Sequence, residues 1–198
     1  MQTTLAALTT FAFATSITPG PNNLMLMMSG ASFGLRRTLP HWLGVSVGFG
    51  AMIFALGAGL SGLLDAAPRA RLALKIVGAA YMIWLAWRIA NAGRSAGRAA
   101  AARPMTFVEA GAFQWANPKA WAMALTTVGV YAGAGTLREV ALAACVAGLV
   151  NFPCVGVWAA AGRPLRVFAE EDKRRTLIHR GLALLVLLSL APLVWGGA

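Results

Sequence analysis

The sequence predicts an all-α integral membrane protein with six transmembrane helices, arranged as two inverted three-helix repeats. The chain of 198 residues is 59% hydrophobic and only 12% charged, whereas soluble domains carry about 25% charged residues. Most of its charged residues are grouped in short clusters between long apolar runs. Prolines interrupt two of these runs, at Pro19 and Pro118, half of the chain length apart. Helices 1 and 4 are therefore predicted to be broken at proline motifs.

Apolar runs bounded by charge clusters and turn residues define the six helices. A bilayer-spanning helix needs about 20 mainly apolar residues, and the uncharged runs 1–35, 38–64 and 140–162 reach this length. Trp84 and Trp87 near one end of the third helix are typical of an interfacial aromatic belt. The predicted spans are 3–33, 40–64, 71–91, 105–133, 138–161 and 177–196.

Basic residues predict the orientation in the membrane, because positively charged short loops stay in the cytoplasm. The loops after helices one, three and five, with their flanks, hold twelve: Arg36, Arg37, Arg88, Arg94, Arg98, Arg103, Arg163, Arg166, Lys173, Arg174, Arg175 and Arg180. The loops after helices two and four hold four: Arg69, Arg71, Lys75 and Arg138. Both termini are therefore predicted outside. Because topology accounts for the net charge of +11, we expect no nucleic-acid partner.

A Gly-, Ala- and Arg-rich linker, 93–103, divides a single membrane domain, 1–198, into halves 1–92 and 104–198. Each half has three helices, so the second half enters the membrane from the opposite side. Paired interruptions at corresponding positions of two inverted halves indicate the binding site of a secondary transporter.

Each proline motif predicts the start of a half-helix inside the membrane. In Asn117-Pro118-Lys119, asparagine is a favoured N-cap and proline a favoured first helical residue. Pro21-Asn22-Asn23 follows the same pattern, with Gly20 expected to supply a flexible point. Helix N-termini carry unpaired N–H groups and a partial positive charge. Two such ends facing each other would suit a carboxylate.

Lys119 strengthens this prediction, because it lies about 20 Å along its helix from Met105 and an intramembrane cation is costly. The alternative is that Lys119 only binds carbonyls freed by the broken helices. Pro19, Pro21 and Pro118 free the carbonyls of Thr15, Ile17 and Gln114, which we expect to accept a substrate ammonium or a coupling ion. Asn22, Asn23 and the Gln114 side chain add donors and acceptors, so the site suits a zwitterion such as an amino acid.

Other polar or breaking residues fit less specific roles. His41 is expected to be an interfacial polar residue in preference to a proton relay. Asp65 is expected to be an interfacial cap in preference to a proton-coupling acid, and Tyr81 a packing residue in preference to a ligand contact. Pro153, after Asn151, marks either a kink that lines the cavity or an ordinary membrane-helix proline. Glu109 is expected near the cytoplasmic interface, too far from Lys119 to pair with it. Cys145 and Cys154 are expected to be small packing residues.

Three sequence blocks together resemble the lysine exporter (LysE/RhtB) family of amino-acid export proteins. The first is Ser16-Ile17-Thr18-Pro19-Gly20-Pro21-Asn22-Asn23-Leu24, followed by Gly30, Gly34 and Gly44. The second is Leu74-Lys75-Ile76-Val77-Gly78-Ala79-Ala80-Tyr81-Met82-Ile83-Trp84-Leu85, and the third is Phe113-Gln114-Trp115-Ala116-Asn117-Pro118-Lys119-Ala120-Trp121. The resemblance covers essentially the whole chain.

The resemblance implies a multi-pass exporter in a bacterial-type cytoplasmic (inner) membrane, driven by the proton gradient, and not an enzyme. The resemblance also implies that the site is formed by Pro19, Gly20, Pro21, Asn117, Pro118 and Lys119. Two features depart from the family pattern: Gln114 stands where many members have asparagine, and helix two has no acid in its middle to carry a proton. We expect no cofactor and no resident metal, and the oligomeric state is left open, a homodimer included.

Alternating access around this midplane site would export small amino acids or related zwitterionic metabolites. Neutral substrates are favoured, because the site lacks an acid to balance a cationic side chain. The alternatives are an exporter of metal or other inorganic ions and a non-redox membrane protein of related architecture. A metal site would need clustered Cys, His or carboxylate ligands, and the two histidines, His41 and His179, lie outside the predicted site.

Overall fold

A computed structural model describes residues 2–92, 103–132, 135–168 and 172–188, and these residues form helices joined by short connections, without a strand. The predicted all-helical class is confirmed. In chain order the helices are α1 (Gln2–Ile17), α2 (Pro21–Phe33), α3 (Leu35–Ala55), α4 (Ser61–Ala66), α5 (Pro68–Ala92), α6 (Phe107–Phe113), α7 (Pro118–Thr126), α8 (Leu137–Phe168) and α9 (Asp172–Leu188). A π-helical segment, Leu56–Leu60, joins α3 to α4, and another, Thr127–Tyr131, extends α7.

Three helices of the described chain are long and apolar enough to cross a membrane: Leu35–Ala66, Pro68–Asn91 and Leu137–Pro164. They correspond to the predicted second, third and fifth helices. The first and fourth predicted helices are each divided into shorter helices at the proline motif, as predicted. The last part of the sixth, from 189 onward, and the linker up to residue 102 lie outside the described residues. The six-span inverted repeat therefore stays a prediction.

Several predicted boundaries are wrong, and each shift has a local cause. The second predicted helix begins at Leu35 and not at 40, because Gly34 turns the chain in a single residue with φ of 77°, a conformation that glycine adopts at little cost. Arg36 and Arg37 consequently belong to its first turn. The fifth helix continues to Phe168, past Pro164. The sixth begins at Asp172, and an acid at this end complements the helix dipole.

Helix α8 is the central packing element, and it contacts α1, α2 and α3. Helix α3 also packs against α6, and α5 packs against α9. A buried cluster of Leu26, Val45, Ala110, Val155 and Ala159 joins α2, α3, α6 and α8. This packing brings the ends of α1 and α6, and the starts of α2 and α7, into the interior between the two halves.

Glycines permit the closest of these helix contacts. A Cβ on Gly30 of α2 would lie 2.0 Å from the carbonyl oxygen of Ala159 on α8, and one on Gly162 would lie 2.1 Å from the carbonyl oxygen of Met27. Between α3 and α6, a Cβ on Gly48 would lie 2.5 Å from the Cα of Gly111. Small residues that let backbones touch are typical of helix association in membranes.

We predict that Gly30→Ala destabilises the protein, because its methyl group would overlap backbone that cannot rotate away. Overpacking of this kind costs about 1–3 kcal/mol. Gly62→Ala is the matched control, since a Cβ there has no neighbour within 4 Å among the described residues. Thermal unfolding of both variants in detergent, followed by loss of the monodisperse peak, measures the difference. Equal midpoints would show that α2 and α8 are not in backbone contact.

Candidate functional site

The first helix break places Gly20 under the side chain of Lys119. Helix α1 ends at Ile17, and Gly20 precedes α2 with φ of −176°, an extended conformation that any residue adopts. This φ does not require glycine, and the expectation that Gly20 supplies a flexible point stays a prediction. A Cβ on Gly20 would lie 2.8 Å from Cδ of Lys119. A side chain at position 20 would therefore displace the lysine stem.

The second break has the predicted capped geometry. Asn117 Oδ1 accepts a hydrogen bond of 3.1 Å from the backbone N–H of Lys119, and Pro118 is the first residue of α7. Asn117 is buried. The cap orients the amide, and its Nδ2 group has no acceptor among the described residues. Asn117 lines the cavity and thus presents a donor there, beside a helix N-terminus.

The carbonyls freed by the prolines are not available to a substrate. Those of Thr15, Ile17 and Gln114 were expected to accept a ligand ammonium. Instead, protein donors bind all three: the Thr18 hydroxyl (2.8 Å), the Trp158 indole N–H (3.0 Å) and the Asn117 backbone N–H (3.2 Å), respectively. An apolar environment makes an unpaired carbonyl costly, so the fold supplies internal partners and this expectation is wrong.

The two breaks brace each other through residues at equivalent positions. Asn22 and Lys119 are the second residues of α2 and α7. The Lys119 ammonium donates to the Thr18 carbonyl (2.7 Å), the Thr18 hydroxyl (2.9 Å) and the Pro19 carbonyl (3.2 Å). Asn22 Nδ2 donates to Gln114 Oε1 (2.8 Å), and Gln114 Nε2 donates back to Asn22 Oδ1 (3.3 Å). Each half-helix start therefore holds the break of the other half.

A small cavity lies between the two breaks. The centre of a water molecule has about 20 Å³ to move in, and one water needs about 10–15 Å³ on this scale. The cavity therefore has room for roughly one water. The predicted site residues in its lining are Gly20, Pro21, Asn22, Asn23, Asn117 and Lys119, and the other lining residues are Ser16, Phe49, Ala120, Met123, Asn151 and Val155.

Three predicted site residues do not line the cavity. Pro19 is exposed, and only its carbonyl takes part, as an acceptor for Lys119. Pro118 is buried at the start of α7. Gln114 is fully buried, and its amide binds Asn22 and the Ala110 carbonyl. These three residues shape the breaks that carry the lining residues.

Asn151 and Ser16 line the cavity but were not among the predicted site residues. Asn151 Nδ2 donates to Ser16 Oγ (3.0 Å), and its Oδ1 accepts from Ser46 Oγ (3.1 Å), so it joins α1, α3 and α8. Pro153, two residues later, is exposed and does not line the cavity. One sequence feature could have indicated Asn151: it is a single asparagine within an uncharged run that is long enough to span a membrane.

Asn23 offers the cavity an acceptor. Its two amide hydrogens are bound by the carbonyls of Ser16 (2.9 Å) and Thr18 (2.7 Å). This arrangement fixes the orientation of the amide, and its Oδ1 has no donor among the described residues. A buried amide oxygen beside a cavity can accept a hydrogen bond from a ligand ammonium.

The charge of Lys119 has no counter-charge in the described structure. Its partners there are neutral oxygens. Glu109 is paired elsewhere, as expected, and binds Arg103 at 2.7 Å near the start of α6. The positive ends of α2 and α7 add to the same potential. Among the described residues, no group of three His, Cys, Asp or Glu side chains is placed to bind a metal ion. The cavity is therefore electropositive at its lysine side.

Comparison with known proteins identifies the family. Residues 13–193 match the family model of the LysE type translocators. A cysteine/O-acetylserine efflux protein of Klebsiella pneumoniae is 34% identical over 129 residues, 65% of each chain. The protein of the same description from Escherichia coli K12 is 37% identical over 118 residues, 59% of this chain and 60% of the other. The chain thus matches less than two thirds of the length of these relatives, and no solved structure matches it.

The family match covers both proline breaks, the cavity between them and all three sequence blocks from which the resemblance was predicted. It confirms that resemblance, and it agrees with a transporter and not an enzyme. The chain belongs to the LysE type translocator family.

Proposed function

We propose that this protein is a secondary active exporter of small neutral amino acids or related zwitterionic metabolites from the cytoplasm, coupled to protons. Substrate would bind in the cavity between the two helix breaks, and alternating access would expose that cavity to each side of the membrane in turn. The observation that carries the proposal is the Lys119 ammonium, held at two helix N-termini without a counter-charge in the described structure.

A substrate carboxylate would complete the charge balance at Lys119. A buried cation without a counter-ion is costly, and the neutral oxygens of Thr18 and Pro19 offset only part of this cost. The Asn117 Nδ2 group has no acceptor in the described part of the chain, so it supplies a second donor. A charge-assisted hydrogen bond to a carboxylate is stronger than one to a neutral acceptor. The lysine side of the cavity therefore favours an anionic group.

The remaining lining residues favour an ammonium and a short side chain. Asn23 Oδ1, near the start of α2, can accept a hydrogen bond from an ammonium, and Ser16 Oγ belongs to the same cavity lining. Phe49, Ala120, Met123 and Val155 supply an apolar wall. Donors for a carboxylate, an acceptor for an ammonium and an apolar wall together fit the α-amino acid core with an uncharged side chain.

The names of the relatives support this substrate class. Two proteins that share about a third of the aligned residues are described as exporting cysteine and O-acetylserine, which are small neutral amino acids. Export of such solutes by this chain is consistent with the uncharged lining beyond Lys119. Proton coupling rests on the family resemblance, and the cytoplasmic membrane rests on it together with the basic-residue distribution.

Transport requires the cavity to open, because a space of about one water cannot hold an amino acid. The two braces between the breaks are the contacts that opening would change. Asn22–Gln114 and Lys119–Thr18 join opposite halves. A carboxylate that takes over the Lys119 ammonium would release Thr18 and Pro19. Substrate binding would thereby loosen one brace.

We predict that purified protein in proteoliposomes catalyses counterflow of cysteine or O-acetylserine, and that lysine, glutamate and divalent metal ions compete poorly. The reason is the single uncompensated cation in an otherwise neutral cavity. Uptake of labelled cysteine against a panel of unlabelled competitors measures this preference. Counterflow of metal ions in place of amino acids would support the alternative exporter class and exclude this proposal.

We predict that Lys119→Met weakens binding of a free amino acid by about 1–3 kcal/mol, the scale of a charge-assisted hydrogen bond. Binding of the matching amide, which has no carboxylate, should fall much less. Counterflow competition by both ligands measures the difference. Thr18→Val is the control, because it removes one Lys119 partner and keeps the charge, so its losses should be equal for acid and amide. Equal losses in Lys119→Met would mean that the lysine only braces the helices.

We predict the orientation from the basic residues: single cysteines at Gln2 and Gly197 should react with an impermeant maleimide from outside. A cysteine at Ser95 should react only after permeabilisation. Cys145 and Cys154 are first replaced by serine; Cys145 needs this most, because it is exposed and not packed as expected. Opposite-sided labelling of positions 2 and 197 would contradict the six-helix arrangement.

A further inference from the structure

His41 lies buried within α3, away from the cavity. It is 2% exposed, and its Nδ1 atom has no hydrogen-bond partner among the described residues. His41 is therefore buried in protein, and its expected interfacial depth in the membrane stays a prediction. Nearly all buried polar groups are paired, and leaving one unpaired costs about 1–3 kcal/mol. The burial of an imidazole whose Nδ1 atom has no hydrogen-bond partner therefore needs a physical explanation.

The close contact between α3 and α6 explains where the ring lies. Residues three and seven positions further along a helix share a face, so His41 shares a face with Gly44 and Gly48. These glycines touch the α6 backbone at Phe107 and Gly111. His41 is one turn before Gly44 and therefore lies beside the start of α6. This is the end of the interface that the arginines predict to be cytoplasmic.

His41 is the buried titratable residue at the α3–α6 interface, since the described charged groups near it are exposed. Helix α2 has no charged residue. On α6, Glu109 is within electrostatic reach of the imidazole, but it is exposed and paired with Arg103. The remaining described charged residues at this end are exposed: Arg36 and Arg37 on α3 and Arg163 on α8. None of the six acidic residues of the chain lies in the middle of a predicted membrane helix, so no carboxylate competes for this role.

We propose that His41 carries the proton that is coupled to export, an inference that rests on the proposed exporter function. Histidine can bind and release a proton without any other bond change, and burial of its ring disfavours the charged form. Its Nδ1 lone pair takes one proton, which arrives from the outer side through the cavity, and the imidazolium later releases that proton to cytoplasmic water. No other bond changes. Phe49, which lines the cavity, follows His41 by about two turns of α3.

The packing gives protonation a mechanical consequence. An imidazolium buried in a helix contact is poorly solvated, so the charged form favours separation of α3 from α6. Helix α6 leads directly into Gln114, which binds Asn22 across the two breaks. Separation of α6 would therefore loosen this brace and open the cavity toward the cytoplasm. Release of the proton there would allow the interface to close around a bound substrate.

The test compares exchange with uphill transport in proteoliposomes, using His41→Gln and His41→Asn. Counterflow of labelled cysteine needs no net proton movement, so both variants should retain it. Accumulation driven by an imposed pH gradient, and substrate-dependent proton flux reported by an internal pH-sensitive dye, should be lost. His179→Gln, which replaces the other histidine of the chain, should retain all three activities.

The outcomes separate this inference from the proposed function. Retained gradient-driven accumulation in either His41 variant would overturn the inference and leave the exporter function intact. Loss of counterflow in both variants would assign His41 a structural role and also overturn it. Absence of amino-acid counterflow in the unaltered protein would instead refute the proposed function.

Discussion

Backbone hydrogen bonding without water is the constraint on which the site depends. Two helices are broken by proline inside apolar segments, and every carbonyl and N–H group released there needs a partner within the protein. The chain meets this need with side chains of the opposite half: Trp158 binds the Ile17 carbonyl, and Lys119 binds those of Thr18 and Pro19. Contacts between the two halves therefore help to stabilise the breaks. The cavity between them is a consequence of the same arrangement.

Lys119 combines a structural and an electrostatic role, and the structure shows why these roles are not exclusive. Its ammonium binds neutral oxygens that hold the first break in place, yet these oxygens do not neutralise its charge. The same cation can therefore brace the closed protein and attract a carboxylate. A ligand that competes for the ammonium changes the brace, which links substrate binding to conformation. In the proposed function, this double use of one residue would couple recognition to opening.

Two close helix interfaces differ in whether they bury a titratable side chain beside their glycine contacts. The α2–α8 contact at Gly30 and Gly162 brings two backbones together. The α3–α6 contact is similarly close at Gly48 and Gly111, but it also buries His41 at one end. An interface that contains a titratable group has a stability that depends on protonation, whereas a purely apolar one does not. This difference singles out α6 as the element whose packing a proton can change.

The sequence by itself determined the features that depend on local rules. Low charge and long apolar runs determined a helical membrane protein, and proline with its flanking residues determined both breaks and the Asn117 cap, because these are properties of a few adjacent residues. Three motif blocks were enough to indicate the family. Helix ends were predicted less well where a single residue, such as Gly34, replaced an expected loop.

Only the tertiary structure decided which polar groups are free and which are paired. The Ile17 carbonyl is an acceptor by sequence, but its donor is Trp158 on α8. The extended backbone of Gly20 has no local need for glycine, and the space beside its Cα is filled by Lys119, which binds the neighbouring Pro19 carbonyl from about a hundred residues away in the chain. Asn151, Ser16 and His41 owe their roles to burial among other helices. Such long-range pairings follow from packing, which local sequence patterns do not encode.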